Sequence, residues 1–129
     1  MATSRMRTAH VRTHVDSRRR FVGDIFPMEH GDVNAVTLFP GVVIAWHRHQ
    51  RQDDRLYVLY GDLRVQAIDL EGIRHRWDVD SDALPVFIPR GWWHGYSTRE
   101  GATILQFNGP GKWDGTDEER LSLDEMPWT

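Results

Sequence analysis

Residues 41–61 run GVVIAWHRHQRQDDRLYVLYG. Two β-branched and aromatic runs, Val42 to His49 and Leu56 to Tyr60, flank a polar segment and are bounded by Pro40-Gly41 and Gly61-Asp62. That is the pattern of strands punctuated by turns. Alternation along the first run puts Val43, Ala45, His47 and His49 on one face, with Val42, Ile44, Trp46 and Arg48 on the other. His47 and His49 are therefore expected to converge on one space, with Asp53 and Asp54 arriving from the next strand on opposite faces.

The same punctuation continues outward. VNAVTLF (33–39) ends at Pro40-Gly41, LRVQAIDL (63–70) at Glu71-Gly72, and ATILQFN (102–108) at Gly109-Pro110-Gly111; IRHRWDV (73–79), LPVFIP (84–89) and WWHGYST (92–98) lie between. Thr116 and Glu119 form a potential capping box, the one helix signal, over residues 116–121. Roughly eight short strands with tight connections suit an all-β, double-sheet jelly roll, which leaves few long edges. Residues 1–31 are expected to form a basic N-terminal arm or an exchanged strand, and residues 109–129 a C-terminal tail on one domain spanning 1–129.

Composition narrows the chemistry. The 129 residues suit one core. No run reaches the roughly 18 apolar residues of a membrane span and no apolar leader is present, so a cytoplasmic protein is expected. With no cysteine, any metal must be held by histidine and carboxylate. The net charge of −3 hides a split, because six arginines face one aspartate in the first twenty residues. That arm lacks aromatic interleaving and any nucleic-acid motif, so nucleic acid is not an expected partner. Six tryptophans are more than a small core readily covers, which favours a homodimer. Trp46, opposite His47, is expected at an inter-sheet or dimer contact.

Gly41, His47, His49, Asp54 and Gly61 fall at the intervals of the first cupin motif, with Asp in place of its Glu. Pro89, Gly91 and His94 match the second, with Ala83 and Thr98 in place of its leading glycine and closing asparagine. The chain thus resembles the cupin superfamily, which implies a single-domain double-stranded β-helix. In that frame His47, His49, Asp54 and His94 make an N/O ligand set for one divalent transition metal: Fe, Mn, Ni, Zn or Cu. Such a site would serve oxygenase or metal-assisted isomerase chemistry.

HRHQRQDDRLYVLYGDLRVQAIDLEG, VFIPRGWWHGYS and KWDGTDEERLSLDEMPW resemble more narrowly the dTDP-4-dehydrorhamnose 3,5-epimerases and dTDP-sugar 3,4-ketoisomerases. This resemblance implies cofactor-free proton transfer next to the carbonyl of a nucleotide-linked 4-keto-6-deoxy sugar, a dTDP-sugar. His47 would be the base, His49 its partner, His94 would face the sugar, and Arg55 would supply the basic contact. Histidine suits the task because its ordinary pKa lies near working pH. The family arginine three residues before the base is Ile44 here, and its tyrosine acid falls at Lys112 or Trp113, so Tyr57, Tyr60 or Tyr96 must take that role. Arg48, Tyr57, Trp93 and Tyr96 complete the expected substrate contacts. A wall of Arg48, Arg51, Arg55 and Arg64 suits a pyrophosphate, with ion pairs to Asp53, Asp54 and Asp62 the competing arrangement. A small-molecule-binding module without turnover is the third reading. His10 and His14, four residues apart, could share a helix face, but their segment is short, basic and uncapped and no metal role is expected of them; His30 and His75 have no partner pattern, and surface positions are expected.

Overall fold

In a computed structural model the structure describes residues 10–28, 31–80, 84–110 and 115–128. His30, Ala83, Lys112 and Trp113 lie outside the described residues. The strands are β1 (Arg12–Val15), β2 (Arg19–Met28), β3 (Gly31–Leu38), β4 (Val43–His49), β5 (Asp53–Ile68), β6 (Arg74–Asp80), β7 (Val86–Ile88), β8 (Trp93–Ser97), β9 (Ala102–Gly109) and β10 (Glu118–Arg120). One layer runs β1-β2-β3-β9-β5 with β7 beside β5, and the other runs β6-β5-β8-β4-β10. Every pairing is antiparallel. This is an all-β jelly roll.

β5 belongs to both layers. Its first half pairs with β9 and β7, and its second half with β6 and β8. The turn expected at Gly61-Asp62 is a bend within one continuous strand. Gly61 sits there at φ 95°, where a Cβ would run into the Gly101 carbonyl, so the bend needs both the conformation and the space of glycine.

Two further expectations are corrected. Residues 116–121 form no α-helix: a 3-10 turn, Gly115–Asp117, leads into β10, because pairing with β4 satisfies the backbone that a lone capping box would leave open. The strict alternation of β4 also fails. Ile44 pairs with Tyr96 and His47 with His94, so three steps on β4 match two on β8. This bulge brings Ile44 to the same inner face as His47. Gly95 stands opposite it, where a Cβ would collide with Ala45.

Within the chain, β1 and β2 extend the first layer outward from β3 over residues 12–28. Asp16 organises their turn by accepting from the backbone N–H groups of Arg18 at 2.8 Å and Arg19 at 3.1 Å. These donors hold its carboxyl well below the usual range.

The barrel interior is graded along its axis. At one end Val36, Leu38, Leu56, Val58, Leu63, Val65, Ala102 and Ile104 form a closed apolar core. Toward the other end the same inward rows become polar: Asn34 on β3, Gln106 and Asn108 on β9, Asp54 on β5, His94 and Tyr96 on β8. Polar residues are tolerated there because they bond to one another and line a cavity.

Trp46 does face outward, but it is 1% exposed inside a single chain. Its Nε1–H donates to the Met126 carbonyl at 2.6 Å, Trp128 packs on it at 5.1 Å between centroids, and Arg74 covers the ring. The C-terminal tail therefore occupies the surface expected to meet a dimer partner.

Candidate metal centre

Strand register assembles the centre. β4 carries His47 and His49 to the cavity, β8 brings His94 directly opposite His47, and β5 brings Asp54 from the other layer. One ligand atom from each of these four residues lies within 4.8 Å of all the others. Asp54 Oδ2 is 2.9 Å from His94 Nε2 and 3.9 Å from His49 Nε2. With metal bonds of about 2.1 Å, neighbouring donors stand about 3 Å apart and opposed donors about 4 Å. The four donors thus fit one ion after small side-chain rotations.

Asp54 is 1% exposed. Its Oδ1 accepts from Gln52 Nε2 and Asn108 Nδ2, each at 3.1 Å, which leaves Oδ2 directed at the imidazoles. His94 Nδ1 donates to the Trp92 carbonyl at 3.0 Å. That bond places the proton on Nδ1 and leaves Nε2 a lone pair aimed at a carboxylate oxygen. Lone pair against lone pair in a buried site is unfavourable until a proton or a cation stands between them. His49 Nδ1 is also buried without a hydrogen-bond partner.

Protonation follows from the surroundings. Removal from water, then the neighbouring imidazoles His94 and His49, then Arg120 and Arg19 hold His47 well below the ordinary histidine value. His49 is lowered chiefly by burial, against a pull upward from Asp54. Both are kept neutral, as metal ligands or bases must be. Tyr96 lies 3.3 Å from His47 Nε2, and Gln106 Nε2 donates to its hydroxyl at 3.3 Å. Burial and the Asp54 charge raise its pKa, so it remains a proton donor.

The centre opens on a cavity of about 490 Å³. Ile44, Tyr96, Gln106 and Asn108 form its deeper wall. Arg12, Arg18 and Arg19 of the β1-β2 hairpin and Arg120 of β10 give its outer part a positive lining.

Other expected contacts lie elsewhere. The parity that turns Asp54 inward turns Arg55 and Tyr57 outward, where Arg55 stacks over Phe87 and Phe107. Neither reaches the cavity, contrary to the expected substrate contacts. Tyr60 is exposed. Arg48 bonds Glu119 at 2.8 Å and lies 4.4 Å over Trp93 on the outer face of β4 and β8, so this pair also misses the cavity. Tyr96 is the expected substrate contact that lines it.

The arginine wall is dispersed as well: Arg51 meets Asp117, Arg64 meets Asp78, and Asp53 pairs with Arg90. Asp62 is taken by Thr98 and the backbone of Arg99 and Glu100. His75 bonds Asp69 and stacks on Trp92. The cavity-lining positions that the sequence did not disclose are Asn34, Gln106, Asn108 and the hairpin arginines. Polar residues recurring at inward positions of apolar strands were the available signal for the first three.

Among the described residues no helix is long and apolar enough to cross a membrane. No family model matches the chain, and no curated protein matches its sequence. Solved structures match its shape. The capsular polysaccharide assembling protein CapF of Staphylococcus aureus superposes at TM-score 0.78 with 19% identity, over 89% of this chain and 32% of that one. Oxalate decarboxylase of Bacillus subtilis, a protein with Mn(II) centres, superposes at TM-score 0.77 with 21% identity, over 86% of this chain and 30% of that one. The chain spans about a third of the length of each. The fold is the jelly roll of these two proteins, and His47, His49, Asp54 and His94 could together hold one metal ion.

Proposed function

We propose that this chain is a mononuclear metal-dependent cupin enzyme acting on a small polar molecule in the barrel cavity. The observation that carries the reading is the buried Asp54 carboxylate, oriented by Gln52 and Asn108 and set among three histidines, two of them held neutral by their surroundings. His47, His49, Asp54 and His94 would hold the ion. The N/O donor set suits Mn or Fe as well as Zn, Ni or Cu, and the Mn(II) centres of the oxalate decarboxylase support Mn. A bound ion supplies Lewis acidity toward a substrate carbonyl or carboxylate oxygen. The chain's own residues do the remainder: Tyr96 holds a proton at the cavity wall, Gln106 orients its hydroxyl, and Ile44 keeps the inner wall dry.

The test is Mn(II) binding to metal-free protein, followed by electron paramagnetic resonance. One tightly held ion per chain, lost in Asp54→Asn, supports the reading; weak binding unchanged by that substitution contradicts it.

A second reading is favoured by one contact. His47 and Tyr96, 3.3 Å apart beside the cavity, form a base and acid pair able to move a proton next to a carbonyl, as in a keto-sugar epimerase or ketoisomerase. Incorporation of solvent deuterium into a nucleotide-linked 4-keto sugar by metal-free protein, abolished in His47→Ala, would select it.

The outer face of the first layer supports a homodimer. Tyr57, Leu59, Phe87 and Leu105 form an exposed apolar surface there, a better candidate contact than the buried Trp46.

A further inference from the structure

Two buried polar atoms on the cavity wall lack partners, and they are of opposite kind. Asn34, 3% exposed, donates through Nδ2 to Asn108 Oδ1 at 3.2 Å. Its orientation is dictated from Asp54 outward. A carboxylate can only accept, so Asn108 must present its Nδ2 to Asp54 and its Oδ1 to Asn34, and Asn34 must then donate. This leaves Asn34 Oδ1 as an acceptor with no hydrogen bond. Arg19 Nε is the opposite case, a buried donor with no acceptor, on a side chain that lies over the Phe21 ring at 5.6 Å. Both residues line the same cavity.

Arg120 completes the positive side. Its register partner on β4 is His47, and it lines the cavity beside Glu118, which it contacts at 2.9 Å. Arg12 and Arg18 add to the same side of the opening, where Glu118 is the lining carboxylate. Arg19 and Arg120 line the same cavity as His47.

We infer that the cavity takes a hydroxylated organic anion of about sugar size, with its carboxylate or phosphate bound by Arg19 and Arg120 and a hydroxyl donated to Asn34 Oδ1. The inference rests on reading this cavity as the substrate site, the part of the proposed function that holds with or without a metal. An anion without a hydroxyl leaves Asn34 Oδ1 without a donor, and a neutral polyol, whose hydroxyls can accept from Arg19 Nε, leaves the guanidinium charges without a counter-charge. Buried polar groups left unpaired are how such sites reject close analogues. The relay Asn34–Asn108–Asp54 also connects the hydroxyl to a metal ligand, so substrate recognition and the metal centre share one hydrogen-bonded row.

The test is calorimetric titration of the manganese-loaded full chain with four probes: D-gluconate, D-glucose 6-phosphate, D-glucose and hexanoate. Gluconate or glucose 6-phosphate should bind at least tenfold more tightly than both controls, and which of the two wins identifies the anionic group. Arg19→Gln should remove at least tenfold of that affinity, and Asn34→Leu should remove the advantage over hexanoate. Arg55→Gln, on the outer face, should change nothing. If Arg19→Gln does not fold, Arg120→Gln at the exposed rim should still weaken the anions at least threefold. Equal binding of all four probes, no binding of any, or unchanged affinity in the cavity variants would overturn the inference. Metal content measured on the same samples separates the two ideas. Anion discrimination in protein that takes up no metal would leave this inference standing and remove the metal reading. One metal per chain without discrimination would remove this inference alone.

Discussion

Asp54 Oδ2 lies 2.9 Å from His94 Nε2, and His94 Nδ1 is committed to the Trp92 carbonyl. Two acceptors therefore face each other where Asp54 is 1% and His94 2% exposed. An arrangement of this kind persists only with a cation or proton between the partners. Gln52 and Asn108 hold the carboxylate in that position, and Ala67 on β5 pairs with His94 from the other side.

Asn108→Ala removes one of the two bonds to Asp54 Oδ1 without touching a ligand atom. Metal affinity should fall about 10- to 100-fold, the usual cost of losing a group that orients a ligand. Competition with a chelator measures it. An unchanged constant would mean that Asp54 needs no support from β9.

Tyr96→Phe deletes a hydroxyl bonded to His47 and Gln106 while keeping the ring in the core. The cost in unfolding free energy should be about 1 kcal/mol, read from urea titration. The variant should still bind metal, and loss of metal would give Tyr96 a structural part in the centre that its geometry does not suggest.

The fold was largely legible because its signals are local. Turn residues at Pro40-Gly41 and Glu71-Gly72 mark the ends of strands by their own backbone preferences. Gly61 misled because the same residue serves a turn or a bend, and whether the ladder continues through it depends on the distant strands β6, β8 and β9. The spacing of His47 and His49 on one strand was legible for the same local reason, and Asp54 and His94 through their motif intervals. Arg55 and Tyr57 were misplaced because the strand parity that sends them outward is fixed by Asp54 pointing in. The hairpin arginines were unreadable as cavity residues: a basic run shows its charge, but not that β2 will pair with β3 and bring Arg19 to the cavity that His47 lines.

Acidification should destabilise the metal-free chain earlier than carboxylates alone would. His47 and His49 have folded pKa values below the ordinary 6.5, so the unfolded chain takes up protons first as pH falls. Stability is then independent of these two groups above about pH 6.5 and declines below it. Asp53, Asp62, Asp69 and Asp78, lowered from 3.8, contribute a second loss further down. Urea midpoints between about pH 7.5 and pH 5 test this; a flat profile would show that the histidines charge freely inside the barrel.

Trp128→Ala uncovers Trp46 and should cost about 1–3 kcal/mol, through the lost apolar contact and the ring pair. Trp46 emission should shift to longer wavelength as water reaches it. Unchanged emission would show that Met126 and Arg74 alone keep the ring dry.

Leu105→Asp places a charge in the exposed apolar face of β5, β7 and β9, opposite Tyr57. If that face joins two copies, the wild type should sediment as a dimer and the variant as a monomer with the same circular dichroism. A monomeric wild type at high concentration would remove the dimer.

Whether His47, His49, Asp54 and His94 hold one metal ion is decided by elemental analysis of protein purified without a histidine tag or chelator, beside His49→Ala. About one manganese, iron or other transition ion per wild-type chain is expected, and its loss in the folded variant. A wild type that arrives metal-free and cannot be reconstituted with any of the five candidate ions would contradict a metal site there.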